Sequence, residues 1–125
     1  MVSSRNTSPL YSLKLFMSRR DTQLLVEDIL EAANKILLYT KDFSFDDFIA
    51  DQKTVDAVAR NFEIIGEAAS RLPEVFKLKH PEINWTRITG LRNRIIHEYF
   101  GIDYSVVWKI RIDYIPQLIS ALEKI

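Results

Sequence analysis

In four long segments of the chain, apolar residues recur at alternating steps of three and four. That spacing draws one apolar stripe along a helix and commits each segment to packing that stripe against another. The first segment, Arg20–Thr40, carries Leu25, Ile29, Ala32, Ile36 and Tyr39. The second, from about Lys53 to Leu72, carries Val55, Val58, Phe62, Ile65, Ala69 and Leu72. The third, Trp85–Tyr99, places Trp85, Ile88, Leu91, Ile95 and Tyr99 on one side, and the last carries Val107, Ile110, Tyr114, Leu118, Ala121 and Ile125. No alternating strand pattern competes. The expected fold is all-α: an antiparallel four-helix bundle with short additional helices, joined by short connections.

Local signals place the breaks. Ser44 with Asp47 three residues on forms a capping-box pattern for a short helix over Phe45–Ala50. Pro73 ends the second helix or begins a short continuation, and Lys77–Pro81 reads as a polar connection. Asn84 suits the N-cap of the third helix, and Gly90 within it weakens the helix or marks a close helix contact. Gly101 and Asp103 give a turn and a fresh cap, and Pro116 should kink or divide the last helix. Residues 1–16, with Ser, Asn, Thr and Pro, read as a flexible lead, Met17 offers an alternative start, and residues 17–125 form a single domain.

Charge and composition narrow the function. Seventeen basic residues balance seventeen acidic ones, so any polyanion site must be local. The chain has no cysteine, which excludes thiolate chemistry and cysteine-ligated zinc and fits a reducing compartment such as the cytoplasm. No stretch approaches the roughly 20 apolar residues that span a bilayer. The N-terminal apolar patch at Pro9–Phe16 is a poor signal-peptide core. There is no glycine-rich phosphate loop, zinc signature or serine triad, and neither a metal nor a cofactor is expected.

The unusual chemistry lies in the third helix. At about 100° per residue, Arg92 falls about 40° from Ile88, inside the apolar stripe, where a permanent charge is costly unless paired. Arg94 and Glu98 share a flank at i,i+4. Asn93 and His97 point away from the stripe. A guanidinium, an amide, an imidazole and the Tyr99 phenol together suit phosphate: arginine forks onto its oxygens, and histidine exchanges a proton near neutral pH. The plainer alternatives are a snorkelling or ion-paired Arg92 at a bundle edge and a solvated surface His97. On the second helix, Glu63 and Glu67 sit one turn apart beside Gly66. They are either a solvated acidic edge, or one of them pairs with Arg92 or Arg94 across the helix interface. Gly66 suits close helix packing. His80, in a polar loop before Pro81, reads as unremarkable, and Trp85 and Trp108 as packing residues. Arg87, Arg92, Arg94, Lys109 and Arg111 form a candidate, though scattered, basic surface for RNA.

The ordered set Arg92-x4-His97-x-Tyr99 resembles the motif of HEPN-domain ribonucleases of the HepT toxin family, partners of the MntA-type minimal nucleotidyltransferase antitoxin. Asn61–Ala69 resembles that family's second-helix block, Pro81–Trp85 and Gly90–Arg94 its run into the active helix, and Gly101, Asp103, Val107 and Trp108 its continuation. The resemblance spans roughly Met17 to Ile125. It implies a HEPN-like bundle and a homodimer whose motif residues meet in an interface cleft. It implies metal-independent cleavage of single-stranded RNA, mRNA or tRNA, by the toxin of a type VII toxin–antitoxin system. Arg92 and His97 would be catalytic, with Asn93 as polar support; Arg94, Glu63 and Glu67 are supporting candidates from their helix positions alone. Tyr99 would be the hydroxyl that the antitoxin adenylylates to silence the site. The alternative is a non-catalytic dimeric module that regulates its nucleotidyltransferase partner or presents nucleotide to it. His97 and Tyr99 lie about 200° apart on a regular helix, so either the helix loosens before Gly101 or a second protomer completes the site.

Overall fold

A computed structural model of the chain describes the backbone of residues 9–97 and 103–125 and the side chains of residues 21–92 and 103–125. Among the described residues seven helices follow one another: α1 (Pro9–Tyr39), α2 (Phe45–Ala50), α3 (Gln52–Arg71), α4 (Glu74–Lys79), α5 (Trp85–His97), α6 (Tyr104–Asp113) and α7 (Ile115–Glu123). Among the described residues there is no strand. The architecture is the expected all-α helical bundle. The long helix α3 is its centre, packed against α1 on one side and α5 on the other, while α7 lies on α1. No helix among the described residues is long and apolar enough to cross a membrane.

The stripes account for the core. Ile29, Ile36, Val58, Phe62, Ile65, Ala69, Ile88 and Ile115 are fully inaccessible, and Leu25, Val55, Leu72, Leu91, Ile110, Tyr114 and Leu118 are buried beside them. Among the described residues two stripe positions, Tyr39 and Ile125, are exposed, at 39% and 47%. Both sit where a helix runs out, so the next turn that would cover them is missing. At the end of α1 the buried position is taken by Thr40, and Asp42 turns the chain with φ of 63°.

The caps explain the boundaries. The Ser44 hydroxyl accepts from the Asp47 N–H at 3.1 Å, and the Asp47 carboxylate accepts from the Ser44 N–H at 2.9 Å, completing the capping box of α2. Asp51 caps α3 through the Thr54 N–H, and Asn84 caps α5 through the Arg87 N–H at 3.0 Å. After Pro73 the chain forms α4, so much of the expected polar connection is helical. Within the described residues α1 already runs from Pro9, so it takes in residues 9–19, which the expected helix from Arg20 left out. Pro116 divides the last segment. The Tyr114 N–H closes α6 on the Ile110 carbonyl at 2.9 Å, and the Tyr114 carbonyl opens α7 by accepting from Leu118 at 2.9 Å. Pro116 lies in the first turn of α7, where its missing donor is tolerated.

Candidate active site on the third long helix

Helix α5 is seated on α3 at one close approach. A Cβ built on Gly66 would lie 2.8 Å from both the Cβ and the backbone nitrogen of Arg92. Only a residue with no side chain lets the two backbones meet there, which is the packing role expected for Gly66. Gly90 is different. A Cβ there meets nothing within 4 Å among the described residues, so it marks no close contact.

Arg92 is the described member of the predicted catalytic pair. The wheel places it in the apolar stripe, but its side chain is 48% exposed. The tight seat at Gly66 holds its backbone inward while the long side chain carries the guanidinium out past the edge of α3. There Nη1 meets the Glu67 carboxylate at 2.8 Å, and Glu67 is itself 50% exposed. Glu67 therefore makes the interhelical pair. Glu63, one turn earlier, pairs instead with Arg60 of its own helix at 3.3 Å. Sequence alone offered both glutamates for this pair.

The two glutamates and Arg92 line an open groove of about 310 Å³ between α1, α3 and α5. Leu25, Ile64 and Ala68 supply its apolar lining. Arg60, Arg71 and Arg92 supply positive charge, and Asp28, Glu63 and Glu67 an equal number of carboxylates. Among the described residues the lining is mixed rather than basic, with Arg92 the one cation contributed by α5. Among the described residues no three His, Asp or Glu side chains converge as a metal-ligand group.

The other expected site residues are Asn93, Arg94, His97 and Tyr99. The side chains of Asn93, Arg94 and His97, and the whole of Tyr99, lie outside the described residues; the backbone of α5 runs through His97.

Two members of the candidate basic surface, Arg87 and Arg111, are engaged with the fold. Arg87 stacks its guanidinium on the Tyr114 ring at 4.3 Å. Burial pushes the Tyr114 phenol above its ordinary pKa, and the nearby Arg87 charge opposes that rise. Arg111 is half-buried, donates from Nε to the Thr40 hydroxyl at 2.7 Å and lies 5.4 Å from the Trp108 ring. Its burial lowers its pKa from the usual arginine value. Trp108 in turn packs on Phe48 at 5.1 Å. Both arginines are thus engaged with the fold. The sequence reading missed the bond from Arg111 to Thr40, which joins positions 71 apart in sequence, and no spacing rule signals it. His80 is structural, as expected: its carbonyl accepts from the Trp85 indole at 3.0 Å, and its ring lies 4.7 Å from Phe76.

Comparison with known proteins places this geometry in a family context. Residues 29–125 match the protein family described as ribonuclease HepT-like. "Putative RNase MJ0127" of Methanocaldococcus jannaschii is 42% identical over 109 residues, covering 87% of this chain and 90% of the relative. "Probable ribonuclease HepT" of Thermococcus cleftensis is 43% identical over 107 residues, covering 86% of this chain and 97% of the relative. "Putative RNase TTE0752" of Caldanaerobacter subterraneus is 38% identical over 100 residues, covering 80% and 89%. No solved structure gives a significant match.

Proposed function

The chain belongs to the ribonuclease HepT-like family, and from that membership we propose that it is a metal-independent endoribonuclease acting on single-stranded RNA. One observation supports the reading most directly. Arg92, which opens the Arg-x4-His-x-Tyr motif, is fixed by Glu67 yet half exposed at a groove. A buried structural arginine would show no such access. An accessible guanidinium with its backbone clamped is suited to a phosphate that arrives from solvent.

The chemistry follows from these residue types. The RNA 2′-hydroxyl oxygen attacks the adjacent phosphorus, and its proton passes to His97 as general base. The bond from phosphorus to the 5′-oxygen breaks, and that oxygen takes a proton from a general acid. In a homodimer the partner subunit's His97 fills that role. The products are a 2′,3′-cyclic phosphate and a 5′-hydroxyl. Arg92 stabilises the charge growing on the non-bridging oxygens. In the cell the protein is a cytoplasmic toxin of a type VII pair, silenced when a nucleotidyltransferase of the MntA type adenylylates Tyr99. The added phosphate and bulk next to the arginine block a polyanion.

The test compares the purified protein with His97→Ala on a mixed RNA substrate in EDTA. Cleavage should fall by about 10²-fold or more. Equal cleavage by both sinks the catalytic assignment, and a need for added metal sinks the metal-free mechanism. If neither cleaves RNA, the module that only binds its nucleotidyltransferase partner becomes the better reading. Intact mass after incubation with that partner and ATP should rise by whole adenylates, and Tyr99→Phe should abolish the rise.

A further inference from the structure

Two consecutive residues of α3 act on the same residue of α5. Gly66 brings its own backbone against that of Arg92, where even a methyl group would sit at 2.8 Å. Glu67 reaches across to the Arg92 guanidinium at 2.8 Å. The first contact fixes where the side chain starts, and the second fixes where it ends. A half-exposed arginine otherwise samples many rotamers, and an exposed ion pair contributes little to stability. The value of this pair therefore lies in aim. Among the described residues it engages Nη1 alone, one of the three nitrogens that carry the five donors of the fork.

We propose that Gly66 and Glu67 form a seat that positions Arg92 for the scissile phosphate, with Glu67 a positioning residue for RNA cleavage that does not itself touch the RNA. This rests on the ribonuclease reading. It has a consequence that a merely structural carboxylate would not have. Glu67 places a negative charge beside a polyanion site, so removing that charge does not weaken RNA binding. It releases the guanidinium from its aim, which costs the transition state more than the ground state.

Steady-state cleavage of a short single-stranded RNA by the full chain tests this with Glu67→Gln, Glu67→Ala and Glu67→Asp. For Gln and Ala the expected result is a kcat lower by about tenfold or more, with KM unchanged or lower. Asp should recover part of the loss. Glu31→Gln is the control: it removes an exposed carboxylate that pairs with Lys35 within α1, and it should leave kcat unchanged. An unchanged kcat in Glu67→Ala, or a raised KM with kcat intact, overturns the proposal. Wild-type protein that cleaves no RNA overturns the ribonuclease reading instead. Seating is then judged by NMR of the Arg92 Nε–Hε group, assigned by its disappearance in Arg92→Lys. This group should be rigid in the wild type and mobile in Glu67→Ala; equal rigidity in both overturns the seat.

Discussion

Arg92 on α5 and Arg111 on α6 are held in opposite ways. Arg92 has a charged partner and stays half exposed at a groove. Arg111 is half-buried, and its Nε partner is a neutral hydroxyl. That hydroxyl is itself occupied, donating to the Ile36 carbonyl at 2.7 Å at the end of α1. The Trp108 ring lies against the guanidinium on another side. The hydrogen bond of Arg111 ties α6 to the end of α1, and its ring contact is within α6, on the Trp108 that packs on Phe48. The contacts of Arg92 leave its head reachable from solvent. Charge on a helix does not by itself tell what an arginine does; under the ribonuclease proposal, accessibility and the kind of partner separate Arg92 from Arg111.

The sharpest way to break this contrast is to remove each arginine in turn. Arg92→Ala should lower RNA cleavage by about 10²- to 10³-fold, as loss of a transition-state charge stabiliser does. It should cost at most about 1 kcal/mol of stability, since the pair it removes is half exposed. Arg111→Ala should do the reverse. The loss of its hydrogen bond and of its packed stem should cost about 1–2 kcal/mol. Cleavage per folded molecule should stay near the wild-type rate. Thermal unfolding and initial rates measured on the same preparations decide it. If Arg111→Ala loses activity while still folded, or Arg92→Ala unfolds the bundle, the two arginines do not divide as described.

The same contrast marks how far the sequence could be read. The stripes of α1 and α3 foretold most of their buried faces, because burial of a periodic face is a local property of the pattern. In α7, by contrast, the buried face is Ile115, Leu118, Ile119 and Leu122, and the stripe had named only Leu118 of these. The capping box at Ser44 and the division at Pro116 were equally legible, being decided within a few residues. What failed was tertiary. A helical wheel assigns an angle to Arg92 but does not know the length of its side chain or the absence of one at Gly66. It therefore left open whether the guanidinium lies inside the stripe or snorkels to an ion pair at the bundle edge, and the structure shows the second. It also left Glu63 and Glu67 equivalent, because they lie on one flank a turn apart. Only the register of α5 on α3 separates them, giving Glu67 to Arg92 and leaving Glu63 to Arg60. The bond from Arg111 to Thr40 needed the complete fold.

The two glycines sharpen the Arg92 side of the comparison at smaller energies. Gly66→Ala gains helix propensity but forces a methyl group onto the Arg92 backbone, so it should destabilise the bundle by about 1–3 kcal/mol. It should also lower cleavage, because α5 must shift exactly where Arg92 is seated. Gly90→Ala, two residues before Arg92 on the same helix, meets nothing within 4 Å among the described residues. Its φ is not positive, so alanine fits the backbone without strain. It should stabilise the protein by about 0.5–1 kcal/mol and leave cleavage intact. Chemical denaturation of the two variants beside the wild type should therefore move the midpoints in opposite directions. A Gly90→Ala midpoint that falls as far as that of Gly66→Ala would mean that α5 is pressed as closely at Gly90 as at Gly66. The seat of Arg92 would then be an extended interface rather than a single crossing point.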